Sequence, residues 1–546
     1  MGVSVCRKKK QRKSEANELG FFEKLMVKVP TAIFMLAFIY IWSSSTTILS
    51  GDIVHLCVSS RKLNNLYCLS AGAQPNFPLL KNDSSPRPDI NIPVPTGNSA
   101  GSDINIPAST DKDISIPVST DNSARPGELN SKNITNKVLA YTEVEEQLKL
   151  HRSWSRSSNP TTCQGRGIYV YDLPSKFNKD LIGQCNSMLT PGVDFCGYLT
   201  NGGIGKGVES LGSAWYNTHQ YALELIFHAR VLNHPCRVYD PTNAKLFYVP
   251  YYGGLDVLRW HFKNVTNAVK DSLALDLVRW LESQPSWYRN MGKDHVFVLG
   301  KITWDFRRPK KYTWGTKLLD LDEMQNPMKL LIERHPWHAN DVGIPHPTYF
   351  HPRTDDDIVS WQLKAIRSTR HAVVGFAAAA SIRSMLIEQC VSAGDAQCRF
   401  LNCTSGRCDR PNAVIGLFTA AEFCLQPTGD SPTRKSVFDS LISGCIPVLF
   451  DPMTAYYQYP WHLPEDWGKY SVFIDKEEVR NKSVNVVERL MKIPAKEREN
   501  MRRYIVYELL PGLVYGDFDS KFVKFQDAFS ISVNSLLERA TRLNDL

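Results

Sequence analysis

Short apolar runs alternating with longer amphipathic stretches fill the last two thirds of the chain and set its expected architecture. Ile168–Tyr171, Leu246–Tyr252 and His295–Ile302 read as strands, with helices expected over Ser213–Arg230 and Val269–Glu282. Thr303–Pro352, rich in Trp, His and Pro, breaks the alternation and reads as irregular. The pattern resumes with strand Ala372–Ala377, helix Ser381–Cys390, strand Phe423–Leu425 and helix Pro432–Ser443. Strands Ile446–Phe450 and Ser471–Ile474 follow, and amphipathic helices over Val484–Met491 and Ala495–Glu508 close the chain. Strands and helices alternating at this length imply largely parallel sheets covered on both faces. The expected fold class is α/β: two Rossmann-like halves, 161–355 and 356–546, facing each other across a cleft.

The first third has a different pattern. Val29–Leu49 carries no charge and is long enough to cross a bilayer core as a helix. Residues 1–28 hold eight basic side chains against three glutamates, which predicts a cytosolic tail followed by a single-pass signal anchor at 29–49. A cleavable signal peptide fits less well, because a 28-residue basic region exceeds the usual one. Residues 50–160 read as a largely disordered stem: from about Ser70 to Lys137 the chain is Pro, Ser, Asn and Asp, with an imperfect repeat at Asp89–Pro93, Asp103–Pro107 and Asp113–Pro117. Of the formal charge of +9 over 546 residues the tail takes +5, so no basic domain remains and no nucleic-acid partner is expected.

Twelve of the thirteen cysteines follow the apolar span without tight CxxC spacing, which points to disulfides in an oxidising compartment. Cys185/Cys196 and Cys390/Cys398/Cys403/Cys408 lie close together, although spacing leaves the pairing open. Five N-x-S/T sequons, at Asn82, Asn133, Asn264, Asn402 and Asn481, agree with passage through the secretory route.

The most informative segment is Phe423–Pro452, FCLQPTGDSPTRKSVFDSLISGCIPVLFDP, which reads strand, loop, helix, strand. Ser431 suits the N-cap with Pro432 at the first helical position, and Gly444 suits the residue after the helix. Free N–H groups beside Gly429, with Arg434 and Lys435 in the first turn, favour an anion such as a phosphate. An ordinary crossover with a solvated basic turn has the same spacing. The glycine-rich Gly202–Gly207 loop, through Gly203 and Gly205, is a further place for backbone to approach a substrate.

Ordered motifs across Gly165–Leu543 decide between these readings. They are IYVYDLP from Ile168, FYVPYYGGLD from Phe247, ITWDFRR from Ile302, NDVGIPHPTYFHP from Asn340, the Phe423–Pro452 segment, YPWHLP from Tyr459, and Ile493-Pro494-Ala495. With them the chain resembles the exostosin-like glycosyltransferases of family 47, in its plant xyloglucan galactosyltransferase branch. The resemblance implies a GT-B fold, a type II Golgi membrane anchor with a lumenal catalytic domain, and an inverting reaction. The donor is a UDP-sugar, no cofactor is needed, and no metal sits at a DxD motif. It further implies galactose transfer from UDP-galactose to xylosyl side chains of xyloglucan, with galacturonic acid or arabinose as alternative donor sugars. Other wall glycosyltransferases are expected partners in a complex. One departure stands out: relatives typically read Phe-Ala-Gly-x-x-Arg, whereas this chain has Phe376-Ala377-Ala378-Ala379-Ala380-Ser381-Ile382-Arg383. Either Arg383 substitutes for the missing arginine, or the chain is a non-catalytic glycan- or nucleotide-binding partner of an active transferase.

The donor-binding residues expected are Gly429, Asp430, Ser431, Thr433, Arg434, Asp439 and Arg383, with Asp439 near the ribose and Lys435 exposed. Candidates for the base are Asp305, Asp341 and His351; Asp305 directly follows an apolar strand but can equally pair with Arg307 or Arg308. His219 reads as a hydrogen-bonded core or cleft histidine, and Trp304, Trp314 and Tyr349 as sugar-stacking or core rings. Asp320-Leu321-Asp322 reads as a turn and Asp355–Asp357 as a helix start, and neither is given a metal.

Overall fold

The computed structural model describes residues 45–50, 53–60, 65–72, 141–155, 163, 165–189, 193–309, 312–379, 383–404 and 406–544. They fall into two compact units, divided after Pro95. The first is an antiparallel sheet of β1 (Ser45–Ser50), β2 (Ile53–Ser60) and β3 (Asn65–Gly72), in which Thr46 faces Cys57 and Cys57 faces Cys68. The basic tail, residues 29–44 of the expected span and the Asp-Ile repeats lie outside the described residues. Residues 45–49 of that span are in β1, and among the described residues no helix is long and apolar enough to cross a membrane. The expected disordered stem therefore holds strands in its first part. The alternating apolar residues of IVHLCVSS and NLYCLSAG favour pairing, and the polar composition starts only beyond them.

The second unit begins with α1, over 141–154, also inside the expected stem. Its Val144, Leu148 and Trp154 are buried, and the Trp461 indole N–H donates to the His151 carbonyl. A first parallel sheet contains β4 (Gly167–Val170), then, after α2 (Leu223–Leu232), β5 (Arg237–Val238) and β6 (Ala244–Val249). After α3 (Asn267–Glu282) come β7 (His295–Ile302), β8 (Met328–Glu333) and β9 (Asp341–Gly343). Its order is β5-β4-β6-β7-β8-β9. The chain continues through α4 (Asp355–Arg367), β10 (Ala372–Ala378), α5 (Ser384–Ala393), β11 (Cys398–Asn402), α6 (Pro411–Thr419) and β12 (Ala421–Gln426). Then follow α7 (Lys435–Ile442), β13 (Ile446–Leu449), β14 (Val472–Phe473), α8 (Ala495–Tyr504) and α9 (Ala528–Asn544). The second sheet, also parallel, has the order β11-β10-β12-β13-β14.

The α/β class with parallel sheets thus matches the expectation. Each sheet has its own apolar core, one built around Phe247, Phe297 and Leu330, the other around Val374, Phe423 and Val448. Four local differences have physical causes. First, β8 and β9 lie in the stretch expected to be irregular. Lys329 and Glu333 interrupt the apolar run of β8, yet both are buried, Lys329 beside Asp341 of β9. Second, the helix expected from Ser213 begins only at α2, because Trp215 bridges to Phe350 and the Tyr216 N–H donates to the Tyr349 carbonyl. Third, α7 starts three residues later than expected, with Arg434 as its N-cap rather than Ser431. Fourth, α9 returns to the first core instead of closing the second half, so 356–546 is not one continuous domain. Phe529 packs edge-on against Phe227 of α2, and Asp527 pairs with Arg230 at 2.6 Å.

Five disulfides brace the unit: Cys163–Cys236, Cys185–Cys196, Cys390–Cys398, Cys403–Cys408 and Cys424–Cys445. The sequons at Asn264, Asn402 and Asn481 are exposed, and those at Asn82 and Asn133 lie outside the described residues.

Histidine burial gives the fold a pH liability. Burial pushes His151, His219, His335 and His346 down to about 3, and His228, His234, His338, His351 and His462 to about 4. Such a histidine takes up its proton only on unfolding, so its stabilisation is complete above about pH 6.5 and drains away as pH falls toward the folded value. A deeply buried one removes up to about 1.4 kcal/mol per pH unit inside that window, and the more accessible His338 less. Glu224, pushed up to about 8 by burial, acts oppositely, since it gains stability as pH falls from 8. Nine histidines outweigh one glutamate. The melting temperature should fall steeply between pH 6.5 and 5, and calorimetry showing a flat or rising trend there would contradict this account.

Candidate active site

In the second sheet the chain leaves β10 for β11 on one side and returns to β12 on the other. Between β10 and β12 the strand order reverses, and at such a point the carboxyl ends of a parallel sheet leave a crevice. A cleft of about 340 Å³ opens there. Ala377–Ala379 at the end of β10 and Leu425–Pro427 at the end of β12 line it, with Arg434, Lys435, Ser436 and Asp439 forming a cationic wall. Tyr198, Asn217–Gln220 and Tyr349 of the first half complete the lining, with Cys403, Cys408 and Asp409 of the second.

The cationic wall is built by packing. The guanidinium of Arg434 lies against Gly429 in the space a Cβ would fill, so a larger residue there would push the guanidinium aside. Among the described residues that guanidinium has no hydrogen bond or ion pair. Arg383 also lines the cleft and donates to the Thr428 carbonyl at 3.3 Å; burial lowers its pKa, and nearby Asp430, which is exposed, opposes this. Ala380, Ser381 and Ile382 of the shortened loop lie outside the described residues. Lys435 is not exposed as expected: it sits over the Tyr349 ring, 3.1 Å from its centroid, and pairs with both Asp439 oxygens at 2.8 and 2.9 Å. Burial draws both partners toward neutrality, lowering Lys435 and raising Asp439, while their pairing opposes it.

Ser431 and Thr433 turn away from the cleft. The Thr433 N–H and hydroxyl both donate to Glu333 Oε2, at 2.9 and 2.6 Å, and the Ser431 hydroxyl bonds the same carboxylate. The Trp304 indole N–H donates to Oε1 at 3.1 Å. Glu333, at the carboxyl end of β8, thus ties the first half to the loop of the second. The expectation that Thr433 and Ser431 offer free donors to a phosphate is corrected by this contact. Glu333 itself was missed, because a lone glutamate ending a short apolar run carries no motif.

The three base candidates do not line the cleft. Asp305 Oδ2 pairs with Lys301 at 2.9 Å, and Oδ1 accepts from the Trp314 indole at 2.6 Å, so its partner is neither Arg307 nor Arg308. Asp341 is fully buried and bidentate to Arg307 at 2.8 and 3.1 Å, with Thr303 also donating. His351 is held at Nδ1 by the Tyr515 carbonyl and at Nε2 by Thr218, both at 2.8 Å. These are structural positions: each group spends its polar atoms on the protein. Of the three rings, Tyr349 reaches the cleft, whereas Trp304 and Trp314 donate to carboxylates. Gly203 and Gly205 serve close approach within the chain, to Leu225 and to the Asn217 carbonyl. Among the described residues no group of His, Cys, Asp or Glu is arranged to hold a metal ion. Asp320 and Asp322 lie in short turns, and Asp355–Asp357 form the first turn of α4.

The exostosin GT47 domain model matches residues 162–490. Xyloglucan-specific galacturonosyltransferase 1 of Arabidopsis thaliana is 47% identical, over 99% of this chain and 96% of its own length. A probable xyloglucan galactosyltransferase of the same plant, GT20, is 50% identical over 96% of this chain and 95% of its own. Xyloglucan galactosyltransferase MUR3, again from Arabidopsis thaliana, is 40% identical over 70% and 63%. The chain belongs to the exostosin GT47 family, and it is a glycosyltransferase.

Two substitutions test the cleft's construction. Gly429→Ala should displace the Arg434 guanidinium while leaving the melting temperature nearly unchanged, and UDP affinity by calorimetry should fall about tenfold. Glu333→Ala leaves three or four donors unpaired at roughly 1–3 kcal/mol each if none rehydrates, so it should lower the melting temperature markedly. An unaltered melting temperature in Glu333→Ala would show that the two halves do not depend on this contact.

Proposed function

We propose that this chain is an inverting, UDP-sugar-dependent transferase of GT-B arrangement that adds galactose from UDP-galactose to xylosyl side chains of xyloglucan. The observation that carries the reading is the cleft at the strand-order reversal, lined by the unpaired guanidinium of Arg434 together with first-half residues. In this reading Arg434 and Arg383 neutralise the donor diphosphate as charge develops on it. Asp439, steadied by Lys435, accepts from the ribose hydroxyls. The acceptor hydroxyl oxygen attacks the anomeric carbon from the face opposite the diphosphate, and the bond from that carbon to the leaving oxygen breaks. The proton passes to Asp409, a cleft carboxylate with no ion pair among the described residues. Asp305, Asp341 and His351 are not assigned that proton, because their polar atoms are engaged elsewhere. The shortened Ala377–Ala379 loop leaves room for the sugar, and Arg383 supplies the charge that relatives place in that loop.

A second donor, UDP-galacturonic acid, is favoured by the likeness to the galacturonosyltransferase along nearly the whole chain. The reading also includes a type II Golgi membrane setting with the two halves in the lumen, no cofactor, and association with other wall glycosyltransferases.

Incubation with UDP-galactose and xyloglucan oligosaccharides should add one hexose mass, and gain with UDP-galacturonic acid alone would replace the donor assignment. Arg434→Ala should weaken UDP binding by about 10- to 100-fold, the scale of a lost charge-assisted hydrogen bond. Asp409→Asn should lower kcat by at least about 100-fold with UDP affinity kept. Full turnover in either variant would refute the role given to that residue.

A further inference from the structure

One polar atom in the cleft faces the substrate space from the first half and has no task in the reaction as described above. It is Nε2 of His219. The residue lies in the long connection from β4 to α2, and its backbone is pinned on both sides. Thr218 is buried, donates to the Ile204 carbonyl at 2.6 Å and meets His351 at 2.8 Å. On the other side the Tyr221 N–H donates to His219 Nδ1 at 3.2 Å, so the side chain caps the turn that begins at Gln220.

That cap fixes the tautomer. A backbone N–H only donates, so Nδ1 must offer its lone pair, and the proton of the neutral ring resides on Nε2. Three aromatic rings hold the imidazole in place: Phe195 edge-on at 5.1 Å, Tyr198 at 5.1 Å and Tyr221 at 4.9 Å. Burial, with Lys301 and Lys435 facing the ring, pushes its pKa down to about 3, so it stays neutral across the working range. Those two cations are themselves paired, with Asp305 and Asp439. The result is a rigid, uncharged N–H donor that lines the cleft and has no hydrogen-bond partner at Nε2 among the described residues. Its only lone pair is taken, so it does not act as a base.

We infer that His219, through Nε2–H, hydrogen-bonds a hydroxyl oxygen of a pyranose ring bound in the cleft and thereby selects which sugar is accepted. The inference rests on the transferase reading above. A neutral donor suits a hydroxyl, and Tyr198, which lines the cleft beside it, suits the apolar side of a sugar ring. The ring belongs either to the transferred sugar or to the acceptor, and the kinetics separate the two.

The test uses the full-length enzyme with UDP-galactose, UDP-galacturonic acid and xyloglucan oligosaccharides, and three variants. His219→Phe keeps the ring and loses both nitrogens, His219→Asn keeps an acceptor for the Tyr221 N–H but no distal donor, and His219→Gln restores a donor near the Nε2 position. His219→Phe and His219→Asn should lose about tenfold in kcat/KM, the worth of one desolvated hydrogen bond, and His219→Gln should recover most of it. UDP affinity by calorimetry should be unchanged in all three, because the contact is to sugar and not to nucleotide. A rise in KM confined to the UDP-sugar assigns the ring to the donor, and one confined to the oligosaccharide assigns it to the acceptor. Wild-type kcat/KM in His219→Phe overturns the inference and leaves the transferase reading standing, as does an equal loss of UDP affinity, which marks a merely structural role. If the wild-type enzyme binds UDP yet transfers neither sugar, the transferase reading fails and this inference with it.

Discussion

A single buried carboxylate fixes the geometry on which the cleft depends. Glu333 ends β8 in the first half and receives hydrogen bonds from Thr433, Ser431 and the Trp304 indole. Every contact is a donor, and donors favour the ionised carboxylate, which only accepts. Burial raises its pKa, and these bonds work against that rise. Glu333 takes up the Thr433 N–H and hydroxyl, Arg434 follows as an extended N-cap, and α7 begins at Lys435 rather than after Ser431. Arg434 is thereby set at the helix mouth with its guanidinium folded over Gly429. One ion in the first half therefore decides which cation of the second half is left unpaired in the cleft.

The same logic explains which parts of the molecule were legible in the sequence. β7 was read to the residue because a strand buried on both faces is a continuous apolar run with clear ends. β12, α7 and β13 were recognisable because turn and cap residues punctuate them. β8 was not, since Lys329 and Glu333 look like solvent-facing charges until their partners, Asp341 and Thr433, arrive from elsewhere in the chain. α9 was likewise illegible as part of the first core, because its anchor is the distant pair Arg230–Asp527. For the site, residue types outran residue roles. Asp305, Asp341 and His351 have the right chemistry, but chemistry does not reveal whether a lone pair is already used. Lys435 was misjudged for the converse reason, since a lysine in a first helical turn is ordinarily exposed and only Tyr349 and Asp439 bury it.

Charge in the cleft is organised by pairing more than by number. Lys435 and Asp439 neutralise each other one helical turn apart, and Lys301 and Asp305 do the same behind the His219 wall. A desolvated charge is tolerated only when so matched. What remains unmatched in the cleft among the described residues is the Arg434 guanidinium and the Asp409 carboxylate. A ligand that brings a negative group to the first and a proton to the second completes the balance. A diphosphate-linked sugar and a hydroxyl-bearing acceptor do both at once.

The shortened loop after β10 can be judged on the same terms. A missing arginine removes a cation, and where no other charge takes its place the diphosphate loses a charge-assisted bond. Arg383 already lies at the cleft, but its guanidinium is bonded to the Thr428 carbonyl, with Asp430 close by. A single carbonyl leaves most of the five donors of a guanidinium unspent. Arg383 can therefore hold the loop and still turn donors toward a phosphate, as the proposed reading requires of it. Three alanines on the floor complement this, because methyl groups leave the space that a longer side chain would occupy. On the proposed reading, the departure from the family pattern places the cation at Arg383 beside an alanine-lined floor, a change that bears on which sugar fits more than on whether a diphosphate is held.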